Sequence, residues 1–194
     1  MNKLILSTAL AAAMLVPAAA QAQAIPAAVI AVVDLEKVTA SCNACKTASA
    51  TLRSQVTAYQ NREKALATPL EAEGKSIQTA IAALNGKDPD AALQNRVKAF
   101  QAKQQSGAAE LQRQQQQIQR NQAYIQQQIA QKLGPIYQQV MQRRGATVLL
   151  EQGATLAASS GVDITHDVTA ALNPALPTIQ TTAPPQQQQQ PQGR

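Results

Sequence analysis

Aromatic residues are nearly absent from this chain, which has no tryptophan, one phenylalanine and three tyrosines among its 194 residues. Aromatic side chains supply much of the buried area of an ordinary globular core. Alanine and glutamine are abundant instead. This composition excludes a conventional aromatic-rich globule and indicates long helices.

The residue patterns of enzymes are also missing. The only histidine, His166, stands beside Asp167 with no nucleophile or base at a matched spacing. No glycine-rich phosphate loop and no paired-carboxylate motif is present. We therefore expect no catalytic residues, no metal site and no cofactor.

Long apolar runs occur only at the beginning of the chain. Residues 1–24 combine a short positive start, an apolar run and a small-residue end, Ala22-Gln23-Ala24, as secretory signal peptides do. The apolar run is shorter than the ~20 residues of a membrane-spanning helix. We predict export with cleavage after Ala24, or else after Ala22, and a membrane anchor is the alternative.

Residues 46–144 repeat apolar positions every three or four residues in two halves, which predicts two coiled-coil helices. Gln104, Gly107 and Gln114 interrupt the apolar seam of the second half. The halves meet at "LNGKDPDAAL", where Asn85-Gly86 suits a helix end with positive φ and Asp88 suits an N-cap before Pro89. The connection is short, so the helices form an antiparallel hairpin, the arm.

Three residues within the arm predict bends that would let it change width. Pro69 interrupts the first helix, and Gly134 and Pro135 interrupt the second.

Short apolar stretches flank the arm and predict a small body of α+β class. Residues 25–45 hold a first strand, at 27–35, and a hinge. Residues 145–173 hold two more strands, at 147–150 and 154–158, and a short helix with Thr165 as its N-cap. So small a body is expected to gain stability from other copies of itself. Residues 174–194 are rich in proline and glutamine and predict a disordered tail.

Charge is segregated between these regions. Residues 46–144 carry most of the lysine and arginine of the chain, whereas the flanking body is acidic. Such an arm attracts acidic chains or an anionic membrane surface, and the lack of interleaved aromatics argues against nucleic acid. The basic residues that we expect to steer a partner are Arg53, Arg62, Lys75, Arg96, Lys98, Lys103, Arg113 and Arg120.

The order of segments resembles the Skp/OmpH family of periplasmic chaperones. A signal peptide, "VIAVVDLEKV", a helical hairpin and "TVLLEQGATLAASSGVDITHDVTAALN" span residues 28–172. The resemblance implies a homotrimer whose strands form a small β-barrel and whose arms surround a cavity. It also implies a periplasmic holdase that binds unfolded outer-membrane β-barrel proteins without ATP. Lipopolysaccharide is a further partner proposed for such proteins, but no basic cluster here matches that site position by position. The alternative is a structural coiled coil that tethers envelope components.

The two cysteines, Cys42 and Cys45, form a C-x-x-C pair where the first strand meets the arm. Lys46 excludes the C-x-x-C-H haem motif, and a zinc site lacks ligands. A redox-active pair would need a βαβ-type domain that the sequence does not predict. We predict a local disulfide that rigidifies the junction, with an intersubunit bridge as the alternative. The family resemblance supports neither cysteine.

Overall fold

The computed structural model describes residues 26–185. The predicted signal peptide and residues 186–194 lie outside this part. Within it, no helix is both long and apolar enough to cross a membrane. The elements in chain order are β1 (Ile30–Val33), α1 (Leu35–Ser41), α2 (Asn43–Ala82), α3 (Ala91–Arg144), β2 (Val148–Glu151) and α4 (Thr165–Ala175).

Helices α2 and α3 form the predicted antiparallel hairpin. At 1.5 Å per residue they are about 60 Å and about 80 Å long. Asn85 and Gly86 adopt φ of 48° and 86° in the turn between them, which confirms the predicted positive φ. The predicted cap is wrong: Asp90, not Asp88, is the N-cap of α3, and its carboxylate accepts the Leu93 N–H at 2.8 Å.

Glycines at the helix–helix contact admit large side chains from the facing helix. An added Cβ at Gly74 would lie 3.3 Å from Cζ of Phe100, and one at Gly107 would lie 3.6 Å from Cδ1 of Leu66. The sequence predicted that Gly107 interrupts the apolar seam. In the structure Gly107 instead gives room for the Leu66 side chain of α2.

Both arm helices continue through the residues predicted to bend them. Pro69 lies inside α2, and Gly134 and Pro135 lie inside α3. Each proline removes one backbone N–H from the helical hydrogen-bond series without ending the helix. A change of arm width at these positions stays a prediction.

The sheet of the body has two parallel strands, with Ile30 opposite Val148 and Val33 opposite Glu151. The far side of β1 is occupied by a single parallel bridge between Val32 and Asp163. β1 is thus central, and β2 is the edge of the sheet.

Two sequence predictions about the body are wrong. The first strand is only four residues long, because the Asp34 carboxylate accepts the Lys37 N–H at 2.8 Å and begins helix α1. The strand predicted at 154–158 does not form. Residues Gln152–Ala154 make a 3-10 turn, in which the Thr155 hydroxyl and N–H both donate to the Gln152 carbonyl.

The body has its own hydrophobic core, built mainly from helices. The last turns of α3 contribute Leu133, Ile136 and Val140, although α3 continues to Arg144, where the hairpin was predicted to end. The start of α2 lies in the same core. The full buried set is Ala31, Val33, Val38, Cys42, Ala44, Cys45, Leu133, Ile136, Val140, Ile164, Val168, Leu172 and Leu176.

The predicted disorder of residues 174–194 is wrong for the part that the structure describes. Helix α4 includes Pro174 and ends at Ala175. Leu176 is 5% exposed and belongs to the core, and Ile179 packs against it. The proline- and glutamine-rich composition of the tail predicted disorder and gave no sign that Leu176 and Ile179 pack on the core.

Truncations at two positions test this assignment. A chain ending at Ala175 loses Leu176 and should unfold at a clearly lower temperature, and Leu176→Ala alone should cost about 2–5 kcal/mol. A chain ending at Pro185 should melt like the full chain, because the tract it lacks is only glutamine, proline, glycine and arginine. Thermal unfolding followed by circular dichroism gives both values. Equal melting temperatures for the two truncations would show that Leu176 is not a core residue.

Candidate functional site

Polar residues tie the end of β1 to the start of α4. The Asp34 N–H donates to the Thr165 hydroxyl at 2.9 Å, and the Thr165 N–H donates to the Asp163 carboxylate at 2.9 Å. Hydrogen bonds from the Thr165 hydroxyl and from the Thr165 N–H lower the pKa of the Asp163 carboxylate below its usual value. The sequence predicted Thr165 as the N-cap of α4. In the structure Thr165 is the first residue of the helix, and its hydroxyl accepts from the Asp34 N–H instead of capping the helix. This contact, called here the junction, closes the base of the arm.

The cysteine pair lies where α1 meets α2 and is buried. Cys42 separates α1 from α2, and the structure joins it to Cys45 by a disulfide. Cys42 is 0% exposed and Cys45 is 3% exposed. A thiol oxidoreductase needs an accessible sulfur to attack its substrate. This burial favours a structural role, and no residues of the described part cluster as three or more potential metal ligands.

Removing the disulfide should lower the stability of the body, because we assign the cysteines a structural role and not a redox role. The closed loop has a sequence separation of only 3, for which chain entropy predicts roughly 2 kcal/mol. We expect a Cys42→Ala/Cys45→Ala variant to melt at a lower temperature than the oxidised chain, and a reductant to lower the melting temperature of the parent only. Alkylation before and after denaturation counts the thiols. Two reactive thiols in unreduced protein, or a covalent dimer on a non-reducing gel, would contradict the local bridge.

Two of the predicted steering arginines instead join the two arm helices. Arg62 on α2 makes two bonds to Glu110 on α3, at 2.7 and 2.9 Å. Arg96 on α3 makes two bonds to Glu73 on α2, at 2.7 and 3.0 Å. The guanidinium groups lower the pKa of both glutamates. These pairs set the register of the hairpin, and their charges are already matched.

The other six predicted basic residues differ in their environment. Arg120 is half-buried and bonds the Gln117 side chain, with no partner for its buried Nε within residues 26–185. Five are exposed and form no ion pair with any described residue: Arg53, Lys75, Lys98, Lys103 and Arg113.

The outward face of the sheet is apolar, and most of it is exposed. Side chains alternate along a strand, so Ala31 and Leu149 face the core while Ile30, Val148 and Leu150 face away. Ile30 is 46% exposed and Leu150 is 37% exposed. We call Ile30, Val148 and Leu150 the sheet surface; Val32 lies on the same face but is only 4% exposed. The sheet surface adjoins the open edge of β2, and exposed strand edges are normally covered.

A row of side-chain amides on the arm was missed by the sequence analysis. Gln128, Asn121, Gln117 and Gln55 bond the backbone of residues 180–183 of the tail. The available signal was the seven-residue spacing of Gln114, Asn121 and Gln128, which puts all three on one face of α3.

This architecture defines a class of protein in which a small mixed body carries one long antiparallel helical hairpin. Within it the chain belongs to the family described as outer membrane protein (OmpH-like), whose match covers residues 29–172. The junction residues Asp34, Asp163 and Thr165 lie inside this match, within the segments "VIAVVDLEKV" and "DITHDV" on which the resemblance rested.

Solved structures agree with the fold. Five chains match, and one is a crystal structure of an OmpH-like protein from Caulobacter crescentus CB15, provisionally assigned as an outer membrane chaperone. It has a TM-score of 0.67 and 22% identity, and the match covers 86% of this chain and 96% of that chain. At this identity the likeness shows the fold alone. Among curated proteins none matches the chain.

Proposed function

We propose that the chain is a holdase chaperone of the periplasm that needs no ATP. It binds unfolded outer-membrane β-barrel proteins between helical arms and prevents their aggregation, and it performs no catalysis. The observation that carries this proposal is the OmpH-like match over body and arm together. The predicted signal peptide, cleaved near Ala24, supports export.

The arm surface supports binding of many clients. Exposed cations, the five steering residues among them, lie along the two helices and match the acidic character expected of outer-membrane proteins. Contacts of this kind are weak and distributed, so they slow aggregation without trapping one sequence. The same cations would attract an anionic membrane surface or lipopolysaccharide, and both stay predictions from the resemblance.

The sheet surface supports self-association. A two-stranded sheet is marginal alone, and its outward apolar face and β2 edge would be buried if strands of three copies closed a barrel. We therefore propose a homotrimer assembled through the body, with the arms projecting from it.

An aggregation assay tests the function. An unfolded outer-membrane β-barrel protein is diluted from urea, and light scattering is followed with and without stoichiometric chain. A holdase suppresses the scattering in the absence of ATP, and a structural tether does not. Lys75→Glu/Lys98→Glu should slow client association severalfold at low salt, because steering charge is reversed. Lys46→Glu/Lys132→Glu makes the same charge change near the body and is the matched control. Equal effects of the two pairs would contradict steering by the outer arm.

A second experiment tests the assembly. Leu150→Lys places a charge on the sheet surface and should convert the trimer to a monomer with unchanged helix content. Ile81→Lys is the control, since Ile81 is 47% exposed but lies on α2 far from the sheet. Light scattering at micromolar concentration gives the mass. A monomeric parent chain, or a trimeric Leu150→Lys variant, would contradict this interface.

A further inference from the structure

The tail continues beyond the core as a segment without helix or strand, residues 177–185, called here the strap. Its backbone is bound by side chains of the arm. The Gln180 N–H donates to the Gln128 side-chain oxygen, and the Gln128 amide donates back to the Gln180 carbonyl, both at 2.9 Å. The Ala183 N–H donates to the Asn121 side-chain oxygen at 2.8 Å.

The spacing of these contacts fits an extended chain on a helix. Three residues of extended backbone, from 180 to 183, span about 10 Å. Seven residues of helix, from 128 to 121, also span about 10 Å and return to the same face. Two turns of α3 therefore separate the amide that binds residue 180 of the strap from the amide that binds residue 183.

The binding row is a connected set of carboxamides. Asn121 is 3% exposed, and its amide donates to Gln55 of α2 at 2.9 Å while Gln117 donates to Asn121 at 2.7 Å. Gln55 also donates to the Thr181 carbonyl at 3.4 Å. Every hydrogen bond from this row to the strap goes to a backbone N–H or C=O, and none goes to a strap side chain.

We propose that this amide row is a binding site for extended polypeptide backbone, that the strap is its intramolecular occupant, and that a segment of an unfolded client displaces it. A carboxamide offers the same donor and acceptor as a peptide group, so it can pair with a chain of any sequence. The proposal deepens the proposed function and rests on it for the identity of the client.

Displacement is reversible because the strap stays attached. Leu176 remains in the core next to the strap, which holds the strap close to the row at high effective concentration. A competing peptide then binds with an apparent affinity reduced by the fraction of chains whose row is open. Loosening the strap should raise that affinity, and damaging the row should lower it.

The probe is a fluorescent nine-residue peptide with the strap sequence, PTIQTTAPP, titrated into the full exported chain and followed by anisotropy. Gln180→Pro removes the N–H that Gln128 accepts and should tighten peptide binding about three- to tenfold. Thr178→Pro is the matched control, because the Thr178 N–H makes no hydrogen bond within the described residues. A peptide whose glutamine, threonines and alanine are scrambled, with the isoleucine and the prolines kept in place, should bind equally well, because every hydrogen bond from the row goes to backbone while Ile179 packs against the core.

The row itself is tested in the Gln180→Pro background, where the strap no longer competes fully. Gln128→Ala should weaken peptide binding severalfold. Gln127→Ala, the same change at an exposed neighbour, should not. Hydrogen exchange gives an independent readout: peptide added to the parent chain should speed exchange of the Gln180 and Ala183 amides as the strap is released.

Unchanged peptide affinity in Gln180→Pro, or equal effects of Gln128→Ala and Gln127→Ala, would overturn the proposal and leave the strap a structural staple. Failure of the proposed function is distinguishable. If peptide affinity changes in these variants as expected but the chain never suppresses client aggregation, the backbone site stands and the holdase function does not. If it suppresses aggregation while peptide binding ignores both variants, the holdase stands and this site does not.

Discussion

The hydrogen bond from the Asp34 N–H to the Thr165 hydroxyl joins residues 131 apart in the chain, and the rest of the fold depends on that closure. Bringing distant segments together costs chain entropy, which grows slowly with the length of the loop. Here the loop is itself two stiff helices, so both of its ends return to the body together. The adjacent Ile164 N–H bonds the Val32 carbonyl at 2.9 Å and extends the closure into β1. The arm can then project without a core of its own.

An arm so attached need not be strongly held along its length. Its helices meet through a narrow seam, small residues such as Gly107, and two arginine–glutamate pairs on the surface. Exposed pairs of this kind contribute little free energy, typically below ~1 kcal/mol each, but bidentate geometry fixes register. Stability is concentrated in the body, where Val38, Val140 and Val168 are fully buried. This division is compatible with the proposed client-binding arm, whose change of shape stays a prediction.

The sequence predicted the elements that repeat and missed those that rest on single contacts. A period near 3.5 over many turns identified the hairpin, and Asn85-Gly86 identified its turn. Helix α1 was missed because seven residues carry too little periodicity, and it is begun by one carboxylate, Asp34. The strap was missed because its composition indicates disorder, whereas its order comes from Leu176 and from amides distant in sequence. Periodicity is a local signal, and these contacts are not local.

The high glutamine content of α3 then has a physical reading beyond helix propensity. Two features that unfolded clients of many sequences share are their net charge and their peptide backbone. The exposed lysines and arginines attract a client of negative net charge at long range, and this attraction weakens as salt is added. Side-chain amides can hydrogen-bond the peptide backbone at contact distance and without regard to sequence. Asn121 is the residue where the second role has a structural cost, because burying an amide is unfavourable unless its donor and acceptor are both satisfied. In this chain Gln55, Gln117 and the strap backbone satisfy it, so the proposed backbone site is ordered with the strap in place.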